Sequence, residues 1–320
     1  MKRPLILLVS VMLAFVSCRS HTEQVQIHRF EHLLFSTPAD QLSSTLAAQF
    51  DTYNSPLLNL HPSDPDYMAM LHGFVSDPTV RRIYKATDSL YHDLLWLEQS
   101  LGKAMQRASK LCPEVQCQRF YTLITADFQN YDSRVFCYNG DMAISIDRYA
   151  VGAMPDMQHF GLPAYLVRLC SREHILADCM AAAVRARIQV PEGDMTFLDH
   201  AIAEGKVLYC LEQLLPDQHD TILLRYSAEQ LRWMQDNTKH VWGWYIQNEV
   251  LYSSDLAQLR NLIDDAPKTN AFGDGSAPRT GAYIGWQIVR RYMKKNTTDI
   301  SRLLAETDSR KILTDSGWRP

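Results

Sequence analysis

The 320-residue chain carries 32 Lys and Arg against 36 Asp and Glu, with 46% hydrophobic residues and seven cysteines. This mildly acidic balance suits solubility and argues against nucleic acid as a partner. The length accommodates one large domain or two small ones.

Lys2 and Arg3 open the chain, and an apolar run from Leu5 to Val16 follows. That run is about a dozen residues, short of the ~20 a helix needs to span a bilayer. Ser17 directly before Cys18 looks like a lipobox, at which a bacterial lipoprotein is cut and its new N-terminal cysteine acylated; Phe15 stands where a Leu is usual. Residues 1–17 then form a lipoprotein signal peptide, Cys18 is the lipidation site, and residues 18–26 are a polar tether. Several acyl chains on one residue anchor far better than one. Losing Lys2 and Arg3 leaves 30 basic residues against 36 acidic ones, a net charge of about −6. Arg19 follows Cys18 where an Asp would favour inner-membrane retention, which points to an outer-membrane anchor facing the periplasm. Six cysteines remain. Cys112 and Cys117 flank a short Pro113 loop that an oxidising compartment could close, and the others read as small buried hydrophobes.

Residues 27–320 read as a single, mostly helical domain. Ile27–Glu31 alternates and reads as a strand, and Pro38 starts a helix through Phe50. Pro56, Pro62 and Pro65 mark a loop over Tyr53–Asp66. Helical stretches follow at Tyr67–Phe74 and Thr79–Ala86. A longer helix, capped by Thr87 or Asp88, runs to about Lys110 on a stripe of Leu90, Leu94, Leu97, Leu101 and Met105. Arg119–Ala126, Ser133–Tyr138 and Met142–Ile146 read as strands, the last two joined by Asn139-Gly140, a strong hairpin signal. The fold class is α+β, mostly helical, with a small antiparallel sheet packed against helices. Gly152–Pro163 is an irregular loop. Helices are then expected over Ala164–Gln189, Met195–Leu215, Ser227 to about Tyr252 (with Gln230 in a capping box), Ser254 to before Pro267, and Gly281–Tyr292, with short ones after Thr298 and Asp308.

The helix over Met195–Leu215 organises the chain. Leu198, Ile202, Leu208 and Leu211 keep near one stripe, and Glu204-Gly205 sets a carboxylate beside a residue that admits another backbone closely. His200 precedes Glu204 by one turn and leaves the same face.

Met195–Pro216, Trp233–Asp255 (ending Asn248-Glu249-Val250-Leu251-Tyr252-Ser253-Ser254-Asp255) and Ala277-Pro278-Arg279-Thr280-Gly281-Ala282-Tyr283-Ile284-Gly285-Trp286-Gln287-Ile288-Val289 resemble the gliding-motility lipoprotein GldB family. Ile27–Glu31 and the lipobox at Cys18 fit the same family. The resemblance implies an envelope lipoprotein linked to surface motility and its secretion apparatus, with no established reaction and no cofactor. The order of sheet, helix, Glu-Gly helix and Gly-rich helix over residues 119–292 also resembles, more distantly, zinc peptidases of the HExxH type. That likeness implies helical residues 27–115 followed by a zincin-like core over 116–320.

Zinc chemistry of that type needs two histidines one turn apart, with a Glu beside the first as base. Aligning Glu173 with that base puts Arg172 and Leu176 at the ligand positions, and neither binds zinc. The familial metal site is therefore absent. A substitute set of His174, Asp178, His200 and Glu204 can be assembled from two i, i+4 pairs on consecutive helices. Two readings follow. The first is a non-catalytic accessory lipoprotein whose former cleft (Arg172, Glu173, Glu204, Arg279, Tyr283, Trp286) binds an envelope protein, with the membrane reached through Cys18. The second is a metal-dependent hydrolase with an altered ligand set. Arg172 and Leu176 favour the first, and Arg172 or another buried donor is the expected partner of Glu204. Trp233, Trp242, Trp244 and Trp286 read as core more readily than as a groove.

Overall fold

The computed structural model describes residues 24–128, 134–154 and 162–320. The expected signal peptide, Cys18, most of the tether and most of the loop over Gly152–Pro163 lie outside these residues. Four strands, β1 (Ile27–Arg29), β2 (Arg119–Leu123), β3 (Val135–Tyr138) and β4 (Asp141–Ser145), form one sheet in the order β1-β2-β4-β3. The expectation of an antiparallel sheet is corrected. β1, β2 and β4 run parallel, and only β3 is antiparallel, to β4. The Asn139-Gly140 hairpin is present, both residues at positive φ (49° and 84°) as a tight primed turn requires. The parallel pairing of β1 with β2 follows from the block of helices between them, because a long crossover delivers a strand in the same direction. β2 and β4 are buried along their centres, while β3 alternates between half-buried and exposed, as an edge strand does.

Between β1 and β2 come α1 (Phe30–Ser36), α2 (Leu42–Ala48), α3 (Phe50–Tyr53), α4 (Pro65–Ser76), α5 (Pro78–Leu90) and α6 (Leu95–Leu111). α4 and α5 start at Asp-Pro pairs. Asp64 accepts hydrogen bonds from the N–H groups of Asp66 and Tyr67, Asp77 from those of Thr79 and Val80, and the proline fills N1. The long helix expected from Thr87 is corrected. α5 runs on through Leu90, the helix is interrupted at 91–94, and α6 begins at Leu95.

After the sheet, a 3-10 segment (Ile146–Ala153) leads toward α7 (Ala164–Leu169) and α8 (Arg172–Arg185). Then come α9 (Phe197–Leu214), α10 (Asp220–Leu224), α11 (Ala228–Gln247), α12 (Leu256–Ile263), α13 (Thr280–Lys295), α14 (Ile300–Ala305) and α15 (Ser309–Ser316). α9 and α11 open on full capping boxes, Thr196 with Asp199 and Ser227 with Gln230. α9 and α13 make the most extensive contact between elements among the described residues. Gly205 and Gly285 lie in that contact, where the helix backbones touch. A Cβ on Gly205 would sit 2.7 Å from the Trp286 nitrogen and closer still to the Gly285 carbonyl. α8 packs against β3 and β4 and also against α9. Ile175, Met180 and Val184 of α8 and Phe197, Leu198, Ile202 and Leu208 of α9 are all buried. Burial of each such side chain is worth roughly 1.5–3 kcal/mol.

Candidate functional site

Where α8, α9, the end of α10, the segment after α12 and the start of α13 converge, the chain buries a lattice of charge. Glu204 on α9 accepts from Arg279 Nη2 at 2.8 Å and from Arg185 Nη2 at 2.9 Å. Asp178 on α8 accepts from Arg225 Nη1 at 2.6 Å and from the Tyr149 hydroxyl at 2.8 Å, with Arg134 Nη2 3.4 Å away. Asp265 joins the two halves, 3.0 Å from Arg225 Nε and 3.7 Å from Arg279 Nε. The arginines also donate to backbone carbonyls, Arg279 Nη1 to Leu224 at 3.1 Å. Three carboxylates and four guanidiniums are thereby paired, all in a region of low solvent access except the half-exposed Arg185. Pairing of this kind is what makes buried charge tolerable.

Arg225 and Arg279 both adopt left-handed backbone, at φ 64° and 49°. That region disfavours non-glycine residues by roughly 1–2 kcal/mol. Arg225 ends α10 and Arg279 precedes α13, so each turn swings its guanidinium back into the lattice. Tyr226 reinforces the second turn by donating its hydroxyl to the Arg279 carbonyl at 3.2 Å.

Burial alone would raise the Glu204 carboxyl, but the Arg185 and Arg279 guanidiniums outweigh it and hold it at about 2. Burial likewise opposes ionisation of Asp178, and Arg225 and Arg134 outweigh it, leaving its pKa below the usual range. The partly open space between Asp178, Arg185, Glu204, Arg225 and Arg279 measures about 20 Å³, room for about one water molecule.

The residues singled out from sequence are distributed as follows. Glu204 and Arg279 meet. Arg172 does not reach Glu204: exposed on the first turn of α8, it stacks 4.3 Å over the Trp96 ring, and Arg185, three turns on, takes the carboxylate instead. Glu173 is exposed. Tyr283 and Trp286 are buried on α13, and the indole N–H donates to Glu212 Oε2 at 3.1 Å. The six residues therefore do not line one cleft. Trp233 and Trp244 pack half-buried around Phe272, and Trp242 meets Trp318. The His174, Asp178, His200 and Glu204 quartet does not gather as a ligand set. Asp178 and Glu204 are committed to different arginines, and among the described residues no three His, Cys, Asp or Glu side chains are grouped to hold an ion. Arg134, Arg225 and Asp265 complete the lattice, and their sequence surroundings carry no motif that marks them.

His174 borders this lattice with its Nδ1 3.0 Å from the Ser171 hydroxyl and its Nε2 without a partner among the described residues. Burial, then Arg225, pushes it down to about 4. Asp147 has the opposite behaviour. Its Oδ2 accepts from the Thr125 and Ala126 N–H groups, its Oδ1 has no partner among the described residues, and burial pushes it up to about 6. Unfolded His174 takes a proton near 6.5 and folded His174 near 4, so its contribution is full above about 6.5 and is lost as pH falls to 4. Asp147 favours the fold at low pH and stops doing so as pH rises from 3.8 to about 6. Each is worth about 3 kcal/mol across its window, and between pH 4 and 6 they cancel. Asp147→Asn should raise the melting temperature at pH 7.5 and uncover a steeper fall from pH 6 to 4. A thermal-melt series in which variant and wild type keep parallel profiles would sink this account.

A family model described as gliding motility protein GldB matches residues 16–320. No curated protein and no solved structure matches the chain.

Proposed function

The chain belongs to the gliding motility protein GldB family, and from that premise we propose that it is a non-catalytic accessory component of the motility and secretion machinery, held by Cys18 to the periplasmic face of the outer membrane. Membership makes it a gliding-motility-associated lipoprotein of the cell envelope. Among the described residues no helix is long and apolar enough to cross a membrane, so an acyl anchor is the attachment this reading relies on.

The observation that carries the non-catalytic reading is the closure of the charge lattice. Catalytic acids and bases are poised to change protonation near working pH. Glu204 is instead held at about 2 by two arginines, and the space beside it takes about one water. This suits a clamp that fixes α8, α9 and α13 in one arrangement and so presents a constant outer surface to a partner protein. The peptidase-like order of sheet and helices supports a zincin-like scaffold with Arg172 and Leu176 at the ligand positions and Glu204 tied up in ion pairs.

Chemical crosslinking in the native envelope, followed by mass spectrometry, tests the proposal. The expected captures are components of the motility or secretion apparatus, and Cys18→Ala should release the protein from the membrane fraction and lose them. Peptide hydrolysis by the purified wild type that Glu204→Gln abolishes would overturn the non-catalytic reading.

A further inference from the structure

Five of the six cysteines beyond Cys18 are buried, and the sixth, Cys137, is half-buried on the edge strand β3. The Pro113 loop does not bring Cys112 to Cys117. Cys117 instead faces Cys137, with the two sulfurs 3.2 Å apart. Their backbones are fixed relative to each other by the hairpin, because the N–H of Gln118 donates to the Gly140 carbonyl at 2.6 Å. A disulfide bond is about 2.05 Å long, so closing the pair asks for a movement of about an ångström.

We propose that Cys117 and Cys137 are a covalent modification site, joined as a disulfide in the mature exported protein. The inference rests on the envelope reading in one respect, since that compartment is oxidising where the cytosol is not. Three features of the pair carry it: the sulfur contact, the partial exposure of Cys137, and its surroundings. Contact with the Cys117 thiol and the nearby Arg187 guanidinium favour the Cys137 thiolate against the effect of burial. The thiols of Cys112, Cys170, Cys179 and Cys210 are all pushed up by burial.

The chemistry balances with a periplasmic dithiol–disulfide oxidase as the electron acceptor. The Cys137 thiolate attacks one sulfur of the oxidase disulfide, which forms a mixed disulfide and releases the other oxidase sulfur as thiolate. Cys117 then loses its proton, attacks the Cys137 sulfur and releases the oxidase's remaining thiolate. Two thiols of this chain are oxidised by two electrons and one disulfide of the oxidase is reduced. The product closes a loop spanning 20 residues and ties the edge strand β3 to the chain entering β2.

The test counts thiols. Cells are quenched in acid, and the denatured full-length mature protein is labelled with a polyethylene-glycol maleimide with and without prior reduction. Wild type should take four labels before reduction and six after it, and Cys137→Ser should take five either way. Reductant should lower the melting temperature of the purified wild type by about 5 °C and leave that of Cys137→Ser unchanged. Membrane fractionation of the same cells separates the two readings. Six labels on unreduced, membrane-attached protein would overturn the disulfide. If the protein is cytosolic, incubation of the purified chain with glutathione disulfide decides. A Cys117–Cys137 linked peptide there upholds the pair and sinks the export reading, and its absence sinks the pair.

Discussion

Gly285→Ala is expected to leave no folded protein at 25 °C. The added methyl group would be driven into the Ala201 carbonyl of α9, a backbone atom that no change of rotamer can move. Gly205→Ala meets the same obstacle from the other side, against the Gly285 carbonyl and the Trp286 nitrogen. Relief requires separating α9 from α13 along their whole contact, at a cost of about 5 kcal/mol or more. Domains of this kind are stable by roughly 5–15 kcal/mol, so the loss approaches the whole margin. Soluble yield and circular-dichroism melting give the readout. Gly243→Ala, a mid-helix change on α11 with open space around it, is the control and should be neutral or stabilising by up to about 1 kcal/mol. A cooperative melt for Gly285→Ala within a few degrees of wild type would refute the close contact.

Glu204→Gln should destabilise the fold by about 3 kcal/mol at pH 7, because it leaves Arg279, whose side chain is only 7% exposed, with the more distant Asp265 at 3.7 Å as its remaining carboxylate. Arg185→Ala should cost about 1 kcal/mol or less. That guanidinium is 49% exposed and water competes for it. The two variants differ because Glu204 is the shared acceptor and Arg185 the replaceable donor. The pH dependence adds a check of sign. Folded Glu204 stays ionised down to about 2, whereas its ordinary value is 4.5. Its contribution is therefore whole above 4.5 and is lost as pH falls toward 2. The stability gap between wild type and Glu204→Gln should be widest above pH 4.5 and close toward pH 2. A gap at pH 7 under 1 kcal/mol in urea titrations would remove Glu204 from the centre of the lattice.

Much of the scaffold was legible because its signals are local. Ser227 with Gln230, Asn139-Gly140 and the stripe of α9 each need only a few neighbouring residues to be read, and each formed as expected. The misreadings came where a signal is shared between meanings. Pro65 reads as a loop residue until it is paired with Asp64 as cap, and Thr87 reads as a cap although it lies, buried, inside α5. The sheet was harder. Strand identity is local, but whether β2 pairs with β3 or slides between β1 and β4 depends on where six helices put it.

Glu204 was legible as a buried acid that needed a cation, because a carboxylate near an apolar stripe cannot stand alone. Its partner was not. Arg172 and Arg185 are both on α8, and choosing between them needs the crossing angle of two helices. Arg279 lies 75 residues further along. Arg225 ends a five-residue helix that went unread, and its left-handed turn is unusual for arginine, so no local pattern announces it.

The seam between α9 and α13 also sets when this protein can become itself. Glu204 meets Arg279 across 75 residues, and the glycine contact of α9 with α13 stays unmade until Gly285 has arrived. Any shorter chain carries Phe197, Leu198 and Ile202 with much of their cover missing. Pairings this distant in sequence form late, because the chain between them must first be closed into a loop. For a polypeptide threaded N-terminus first through a translocation pore, nearly all of the sequence must emerge before the last barrier is crossed. The partly emerged chain is a client for holding chaperones, and premature termination upstream of residue 285 should yield a degradation substrate rather than a smaller working domain.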